Sequence, residues 1–566
     1  TMASVTAAKD RLPDLLEMLA NKAPSASFIA TPHSGPAPLA VSFDASASAD
    51  SDGEIVSFDW DFAGFAEASG MLAEHTFTEP GVHPVRLTVT DDLGGVHSTV
   101  FELNAEDGSG VAFTVPYVAN GRYAEDLRPC IYNGVGGGCS LERLPFLGAE
   151  FSEPSVEDVM TRVLVSHRWM GDNFRAILER LPADLRLLAR SVTAIVIASD
   201  IRPAYYWGET GAVYLDADFF WLTPQQQSVV TMEEDFRTDF GNQLQVELPW
   251  RYVRNNQRWS IGLTPDGYQR LEDLTQVTAY LLYHELAHAA DFMPVSRIAA
   301  LDPRKTAPEA IYEDQDKWHS SGLRQAYPLS SQVLENLGRV FFSGRQPTSS
   351  QIAIQPDDLI DEFSEDGAVD FYSYFSQFED LADLLETLLM SYHQGLEKDT
   401  AITSMKTEDM PDRTVAWGQR GRMTDLAVIE RLRWTIDAMY PGNTHDLHGY
   451  LTGRPAPLPM RRGDTWVNNI ALEDGGDFSS GGSAITPPRA VYQPPMFPYS
   501  RKPATPSGLT VGAASQRQPI SHIGGTVTPS GQPESEAGAS SSPTLAGCIR
   551  ITENSPPALL ERLGLD

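Results

Sequence analysis

The 566-residue chain has few cysteines, few basic residues and no long uninterrupted apolar run. Its 42 lysines and arginines stand against 76 aspartates and glutamates, which gives a formal net charge of −34. A chain with this excess of acid cannot neutralise phosphates, so nucleic acid is excluded as a partner. A membrane-spanning helix needs about 20 consecutive apolar residues, and none is present, so no membrane span is expected. The acidic surplus is interpreted as a solubilising surface.

The three cysteines bear on the compartment in which the protein works. Cys130 and Cys139 flank a glycine-rich loop that lets them meet, so we predict a disulfide; the alternative is two unpaired thiols. Cys548 stands alone in a Ser/Pro-rich tail and is expected to be free. A disulfide is typical of an oxidising compartment, so we predict a secreted, periplasmic or cell-surface bacterial protein. No signal peptide is visible, but the Thr1-Met2 start leads us to expect a different natural N-terminus.

Changes in composition predict five segments. Residues 1–23 carry leucines at helical spacing, and residues 24–105 alternate apolar and polar positions as in a small β-sandwich. Residues 106–150 are interpreted as a Gly-rich connection that holds the cysteine loop. Residues 151–452 mix helical and strand patterns and are predicted to form an α+β domain. Residues 453–566 are rich in Pro, Gly and Ser, cannot build a core, and are predicted to form an extended tail.

Residues 24–105 resemble the PKD domain, an immunoglobulin-like module often attached to secreted bacterial hydrolases. The residues that carry the resemblance are Phe43-Asp44-Ala45-Ser46, Asp50-Ser51-Asp52-Gly53, Trp60-Asp61-Phe62, Pro80-Gly81 and the run Val-Arg-Leu-Thr-Val-Thr-Asp at 85–91. The resemblance implies a β-sandwich that binds an extracellular matrix or surface partner. In relatives, acids of the Asp-x-Asp-Gly turn can bind calcium, which would assign Asp50 and Asp52; the alternative is an ordinary polar turn.

A five-residue motif carries most of the functional signal. Residues 284–288 read His-Glu-Leu-Ala-His, inside the stretch 275–293, which has helical periodicity and no breaker before Pro294. Two histidines four residues apart lie on one face of a helix, so His284 and His288 can converge on one zinc ion. Glu285 beside them would act as general base, as in zinc peptidases.

The third ligand has to come from elsewhere in the chain, because catalytic zinc takes three protein ligands and one water. Glu379, Asp383 and Glu386 form an acidic stripe on a strongly helical stretch, 371–394, whose other positions are apolar. A carboxylate beside such a surface is costly unless it is paired or bound to metal. We predict Glu379 as the ligand and Asp383 as its outer partner; the alternative is a solvated acidic face.

Asp291 also lies on the face of the two histidines, at i+7 from His284. A straight helix carries it past the ion, so we predict that Asp291 hydrogen-bonds a ligand histidine instead of binding the metal.

The combined pattern resembles the gluzincins, and within them the lethal-factor-like peptidases. The pattern is His-Glu-x-x-His-x-x-Asp, followed at a distance by Glu-x-x-Ala-Asp in a helix. The resemblance implies a zincin-type fold, Glu379 as third ligand, and a tyrosine seven residues earlier that assists the transition state. That tyrosine is Tyr372; Tyr374 is an alternative, and a core role for Tyr372 within 371–375 is another. Asp383 replaces the glutamate common at its place.

These observations predict a secreted zinc endopeptidase acting on protein or peptide substrates. Two strands are expected before the motif, at 192–198 and 211–216, and the second is interpreted as an edge strand that would pair with the substrate main chain. One alternative is an adhesion or binding protein with a degenerate peptidase body. Another is a zinc hydrolase acting on glycoprotein or peptidoglycan cross-links.

Overall fold

The computed structural model places a β-sandwich before a larger domain of helices and sheets. It describes residues 21–472 except 109–110, 133–137, 232–234, 236, 238–239, 260–261 and 407–411. The predicted N-terminal helix lies almost entirely outside the described residues. Cys548 and the tail from residue 473 onward also lie outside them.

The β-sandwich predicted for residues 24–105 is confirmed. Its strands are β1 (Ile29–Thr31), β2 (Ser34–Pro36), β3 (Leu39–Asp44), β4 (Ile55–Phe62), β5 (Glu67–Ser69), β6 (Leu72–Phe77), β7 (Gly81–Asp91) and β8 (Val96–Glu106). They form two sheets, ordered β1-β3-β6 and β2-β8-β7-β4-β5. Every second side chain of β3 is buried, and Phe43 packs against Trp60 and Phe62 of β4. This alternation is what a sheet with one face on the core requires.

The larger domain contains two sheets. Its strands are β9 (Val115–Pro116), β10 (Val163–Val165), β11 (Ile195–Ala198), β12 (Tyr205–Trp207), β13 (Ala212–Asp216), β14 (Val246–Glu247), β15 (Trp250–Arg254), β16 (Gln257–Arg258), β17 (Glu397–Ser404), β18 (Val415–Arg420) and β19 (Leu458–Pro459). One sheet is ordered β12-β13-β11-β10-β9, with β10, β11 and β13 parallel and the two outer strands antiparallel to their neighbours. The other, ordered β16-β15-β17-β18-β19 with β14 also on β17, is antiparallel.

The interpretation of 211–216 as an edge strand is wrong. Strand β13 lies between β11 and β12, and all five of its residues are buried. The edge is β12, whose three residues are half-buried. The continuous apolar run of β13 reflects burial of both its faces, and pairing with β12 is what makes it an internal strand.

Helices surround the two sheets. They are α1 (Ala124–Tyr132), α2 (Val156–Met160), α3 (Arg168–Leu178), α4 (Ala183–Leu188), α5 (Pro224–Gln227), α6 (Leu271–Phe292), α7 (Val295–Ile298), α8 (Ala307–Tyr312), α9 (His319–Ala326), α10 (Gln332–Ser343), α11 (Ser349–Ile352), α12 (Ile360–Ser364), α13 (Gln377–Gln394), α14 (Ile429–Met439) and α15 (Thr444–Thr452). The helix predicted at 275–293 is α6. The one predicted at 371–394 starts later, as α13, and a separate 3₁₀ turn at Tyr372–Tyr374 precedes it. Helices α6 and α13 pack against each other in the main core.

The ends of α6 and α13 follow from local chemistry. Glu272 and Asp273 in the first turn of α6 interact favourably with the partial positive charge at the N-terminus of the helix. Pro294 follows the last turn and cannot continue the helix. The Ser376 side chain caps α13 by accepting the backbone N–H of Glu379 at 3.3 Å. Gly395 ends α13 in the left-handed conformation, with φ of 61°. The cap places Glu379 in the first turn of α13.

Two segment boundaries differ from the sequence prediction. Residues 106–150, expected to be a connection, supply β9 and α1, and Leu127 and Ile131 of α1 are buried in the larger domain. Residues 453–472, expected to begin the tail, pair β19 with β18 and bury Trp466. The apolar stretches of both segments are short and lie among glycines and prolines, so the sequence pattern did not predict β9, α1 or β19. The disulfide prediction agrees with the structure, which bonds Cys130 to Cys139.

The sandwich contacts the larger domain through hydrogen bonds on both sides of a buried histidine. Asn104 donates its side-chain N–H to the carbonyl oxygen of Ser166 at 3.1 Å. The backbone N–H of Arg168 donates to the carboxylate of Glu102. Between these residues, His167 is 1% exposed. The junction therefore excludes water around an ionisable side chain.

None of the described helices is both long enough and apolar enough to cross a membrane.

Acidification is expected to destabilise the fold through His167. Burial lowers the pKa of His167 to about 3, with the nearby His33 adding to the effect, whereas histidine in an unfolded chain has a pKa of about 6.5. Between these values the unfolded chain binds a proton that the folded protein excludes. From this residue alone, the free energy of unfolding should fall by about 1.4 kcal/mol for each pH unit below 6.5. Denaturant titrations between about pH 7 and about pH 5 measure it.

The control compares two histidine replacements. His167→Asn should flatten the pH dependence below about pH 6.5. The same change at the exposed His445 should leave the pH dependence as in the parent protein. Equal slopes for the parent and His167→Asn would contradict the assignment.

Candidate metal centre

The side chains of the three predicted metal ligands lie close together. The Nε2 atom of His284 lies 3.0 Å from Oε2 of Glu379, and Nε2 of His288 lies 3.2 Å from the same oxygen. Their donor atoms all lie within 4.8 Å of one another. The packing of α13 on α6 thus brings together groups that are 91 residues or more apart in the sequence.

The donor set fits zinc. Two imidazole nitrogens and one carboxylate oxygen are ligands that zinc accepts, and a catalytic site adds water as a fourth. The three side chains are 4%, 10% and 15% exposed in the order His284, His288 and Glu379, so the site is nearly enclosed but reachable. Among the described residues, donor atoms of His284, Asp383 and Glu386 lie equally close together, so His284 belongs to two such groups.

Burial and neighbouring charges shift the pKa values of the three predicted ligands. Burial would raise the pKa of Glu379, but His288 and His284 lower it well below its usual range. Burial would lower the pKa of His288, but Glu379 and Glu285 raise it to about 9. Burial lowers the pKa of His284 even though Glu379 opposes it. The negative charge of Glu379 and the positive charge of His288 therefore stabilise each other.

Glu285, the predicted general base, lies inside this site. It is 3% exposed, and within the described part of the chain its Oε2 atom is buried without a hydrogen-bond partner. Burial raises the pKa of Glu285 to about 7, His288 opposes the rise and Glu379 adds to it. A carboxyl group with a pKa near neutrality can both accept and release a proton.

The two predicted outer partners differ in what they contact. Asp383 Oδ1 lies 3.8 Å from Nδ1 of His284, on the side of the ring away from Glu379. Asp291 is buried and accepts the backbone N–H of Ser320 at 2.7 Å. The predicted bond from Asp291 to a histidine is not among the hydrogen bonds of the described residues; its charge acts on His288, whose pKa it helps to raise.

The structure separates the two tyrosine candidates. The ring centroid of Tyr372 lies 6.0 Å from that of His284. Burial raises the pKa of Tyr372 well above its usual value, with Glu379 adding to the rise and Arg237 opposing it. Tyr374 points elsewhere and donates its hydroxyl to Asp366 at 3.0 Å. Tyr372 is thus the tyrosine beside the predicted ligands.

Sequence reasoning missed two basic residues near the site. Arg237 is 6% exposed and pairs with Asp235, and its charge influences Tyr372 and Glu285. Lys398 of β17 is buried behind His284, among carboxylates. Neither lies in a recognisable motif: Arg237 lies in a segment before α6, and Lys398 lies in β17, the strand that follows α13. The one available signal for Lys398 was a charged pair, Lys398-Asp399, inside an otherwise strand-like run.

The predicted calcium ligands lie in an ordinary turn. The backbone N–H of Asp52 donates to Oδ1 of Asp50 at 3.2 Å, which is the local bond of a polar turn. Asp50 Oδ2 is buried without a hydrogen-bond partner in the described chain. Neither residue belongs to a group of three acids or histidines at metal-binding distance among the described residues. Calcium at this turn stays a prediction.

Comparison with known proteins identifies the N-terminal module. The PKD domain family model matches residues 21–104, so this module is a PKD domain. Collagenase ColA of Clostridium perfringens (strain 13 / Type A) is 38% identical over 58 residues, which are 10% of this chain and 5% of the collagenase. The chain therefore spans a small fraction of that relative.

Two solved structures are similar over the same region. The PKD1 domain of Vibrio anguillarum Epp is 37% identical and covers 15% of this chain and 96% of its own, with a TM-score of 0.14. The PKD1 domain of the Vibrio cholerae metalloprotease PrtV is 32% identical and covers 15% and 99%, also with a TM-score of 0.14. These matches concern the PKD domain and leave the larger domain to be interpreted from its own geometry.

Replacing the distant carboxylate is expected to abolish tight zinc binding. Glu379→Gln keeps the shape of the side chain but removes the anionic ligand, so zinc affinity should fall by more than about 100-fold. Competition with a chromophoric chelator measures the dissociation constant.

The adjacent Asp380→Asn is the matched control. Its carboxylate pairs with Arg431 at 2.8 Å on another face of α13. This variant should lose stability and keep the parent affinity for zinc. If Glu379→Gln bound zinc as tightly as Asp380→Asn, the assignment of Glu379 as a ligand would be wrong.

Proposed function

We propose that the larger domain is a zinc-dependent endopeptidase that hydrolyses peptide bonds of protein substrates, and that the protein acts outside the cell. The observation that carries this proposal is the convergence of His284, His288 and Glu379, with Glu285 and Tyr372 beside them. Ligands, base and oxyanion donor of a peptidase are then within one enclosed site.

The chemistry divides among these side chains. A zinc ion held by the two histidines and Glu379 would supply a Lewis acid that activates water and polarises the peptide carbonyl. Glu285 accepts the proton of the attacking water and passes it to the leaving amine, a role that suits a buried carboxyl group whose Oε2 atom has no hydrogen-bond partner in the described chain. Tyr372 stays protonated because burial raises its pKa, so its hydroxyl can donate to the developing oxyanion.

Strand β12 offers a place for an extended substrate. It forms the antiparallel edge of its sheet. Tyr206 in β12 stacks on Phe292 of α6 at 5.7 Å between ring centroids, so the edge runs beside the helix that carries the motif. A peptide could add to this edge through main-chain hydrogen bonds. That mode of binding suits cleavage within a chain and supports an endopeptidase.

Two features support action outside the cell. The Cys130–Cys139 disulfide is stable in oxidising surroundings. The PKD domain also occurs in a bacterial collagenase, where it accompanies a peptidase. We infer that the PKD domain binds a partner in the matrix or on a surface and holds the peptidase near it.

Glu285→Gln is expected to lower kcat/KM for peptide hydrolysis by about 100- to 10,000-fold, because the amide cannot act as a base. Zinc content should stay near one ion per chain, since Glu285 is not a ligand. Cleavage of a fluorogenic peptide library, with and without chelator, gives the rates.

Two outcomes separate the competing functions. Full activity of zinc-loaded Glu285→Gln would remove Glu285 from the mechanism. A parent protein that binds zinc but cleaves no peptide or protein would favour the binding-protein alternative, and cleavage restricted to glycopeptide or peptidoglycan cross-links would favour the specialised hydrolase.

Tyr372→Phe is expected to lower kcat by about 100- to 1,000-fold with little change in KM, because it removes a donor that acts on the oxyanion. Tyr374→Phe is the matched control: it removes a hydroxyl bonded to Asp366, so it should cost about 1–3 kcal/mol of stability and leave kcat unchanged. Steady-state kinetics and thermal unfolding of both variants measure these effects. If kcat fell further in Tyr374→Phe than in Tyr372→Phe, Tyr374 and not Tyr372 would be the oxyanion donor.

A further inference from the structure

A buried cluster of charges lies behind His284, on the side away from Glu379. It contains one ammonium and three carboxylates, those of Lys398, Asp370, Asp383 and Glu386; we call it the Lys398 cluster. Lys398 Nζ lies 2.5 Å from Oδ2 of Asp370 and 3.4 Å from Oε2 of Glu386. These four side chains are 4% exposed or less. The cluster is therefore cut off from water.

The Lys398 cluster contacts the metal centre at two points. Asp383 Oδ1 lies 3.8 Å from Nδ1 of His284. Asp370 Oδ1 accepts the backbone N–H of Tyr372 at 2.7 Å. One carboxylate of the cluster thus faces a proposed ligand, and another holds the backbone of the proposed oxyanion donor.

A further bond ties the same two segments together. Ser373, next to Tyr372 in the 3₁₀ turn, donates its hydroxyl to Asp383 Oδ2 at 3.1 Å. Asp383 is therefore hydrogen-bonded to the 3₁₀ turn through one oxygen, and its other oxygen lies beside the ring of His284 on α6.

Lys398 supplies the positive charge of the cluster. Carboxyl groups packed together in a dry interior lose their hydration, and those that are ionised need a buried cation beside them. Lys398 reaches the cluster from β17, with its ammonium 4.8 Å from the ring centroid of Trp250. Thr387 Oγ1, at 3.3 Å, also accepts from the ammonium. Without the ammonium, Asp370 and Glu386 would lose their buried cationic partner.

We propose that Lys398 is a positioning residue for the metal centre: it holds Asp383 against His284 and Asp370 against the Tyr372 backbone, and so orients one ligand and the oxyanion donor together. This inference rests on the proposed function, and it assigns Lys398 no contact with substrate or metal. Groups that orient a metal ligand from behind commonly contribute 10- to 100-fold to metal affinity or activity, that is, about tenfold or more here.

The test compares two buried cations of the same sheet. Lys398→Met removes the ammonium but keeps an unbranched side chain of similar length. Arg251→Met, on the neighbouring strand β15, breaks a comparable buried pair with Asp399 (2.8 Å), which lies apart from the metal centre. Both variants should unfold at lower temperature than the parent. Only Lys398→Met should weaken zinc binding, by about 10- to 100-fold, and lower kcat with KM little changed.

A second variant avoids the removal of the buried cation. Asp370→Asn keeps an acceptor for the Tyr372 N–H but loses the carboxylate nearest Lys398. It should lower kcat by about tenfold with KM nearly unchanged. If Lys398→Met does not fold, this variant carries the test alone.

The outcomes distinguish this inference from the proposed function. Equal zinc affinity and kcat in the parent, Lys398→Met and Asp370→Asn would overturn the positioning role and leave the peptidase intact. Equal losses in Lys398→Met and Arg251→Met would also overturn it, by showing a general structural effect. A parent protein without zinc binding or cleavage would overturn the proposed function itself and this inference with it.

Discussion

The packing of α13 against α6 is the contact on which the candidate site depends. Each helix alone carries an incomplete donor set: two imidazoles on α6 and one carboxylate on α13. The buried apolar faces of the two helices hold them together, and the Ser376 cap sets where α13 begins. A slip of α13 by one residue would turn Glu379 by about 100° away from the histidines. Ordinary hydrophobic packing therefore sets the geometry of the polar site.

The parts of the site that the sequence predicted are those with local signals. His284 and His288 share a face because of helical spacing, and the acidic stripe with Glu379 appears against apolar neighbours. The choice between Tyr372 and Tyr374 had no local signal, because both lie in one aromatic run. Their directions depend on the 3₁₀ turn at Tyr372–Tyr374 and on Asp366, which the alternation of residue types does not reveal. Lys398 reaches the site from β17, and its charged pair with Asp399 in the sequence did not show which of its neighbours it would contact.

The fold shows the same division. The sandwich was predictable because strands such as β3 and β7 alternate buried and exposed positions and turn residues separate the strands. The larger domain was less so, since short strands such as β9 and β19 have two residues each and leave no periodicity. Their places come from partners distant in the chain, β10 and β18. The position of β13 within its sheet likewise depended on β12, a three-residue strand that the pattern did not separate from its surroundings.

Burying ionisable side chains costs free energy, and this domain buries four of them together behind His284. Three carboxylates and a lysine behind His284 contribute less stability than an apolar core of the same volume would, because each ion loses its water. The cluster nevertheless lies against two parts of the metal centre. Asp383 lies beside the ring of His284, and Asp370 accepts the backbone N–H of Tyr372. Apolar side chains could fill this space, but they could not hold an imidazole in one orientation or accept a backbone N–H. The charges are therefore better explained by orientation of the site than by stability of the fold.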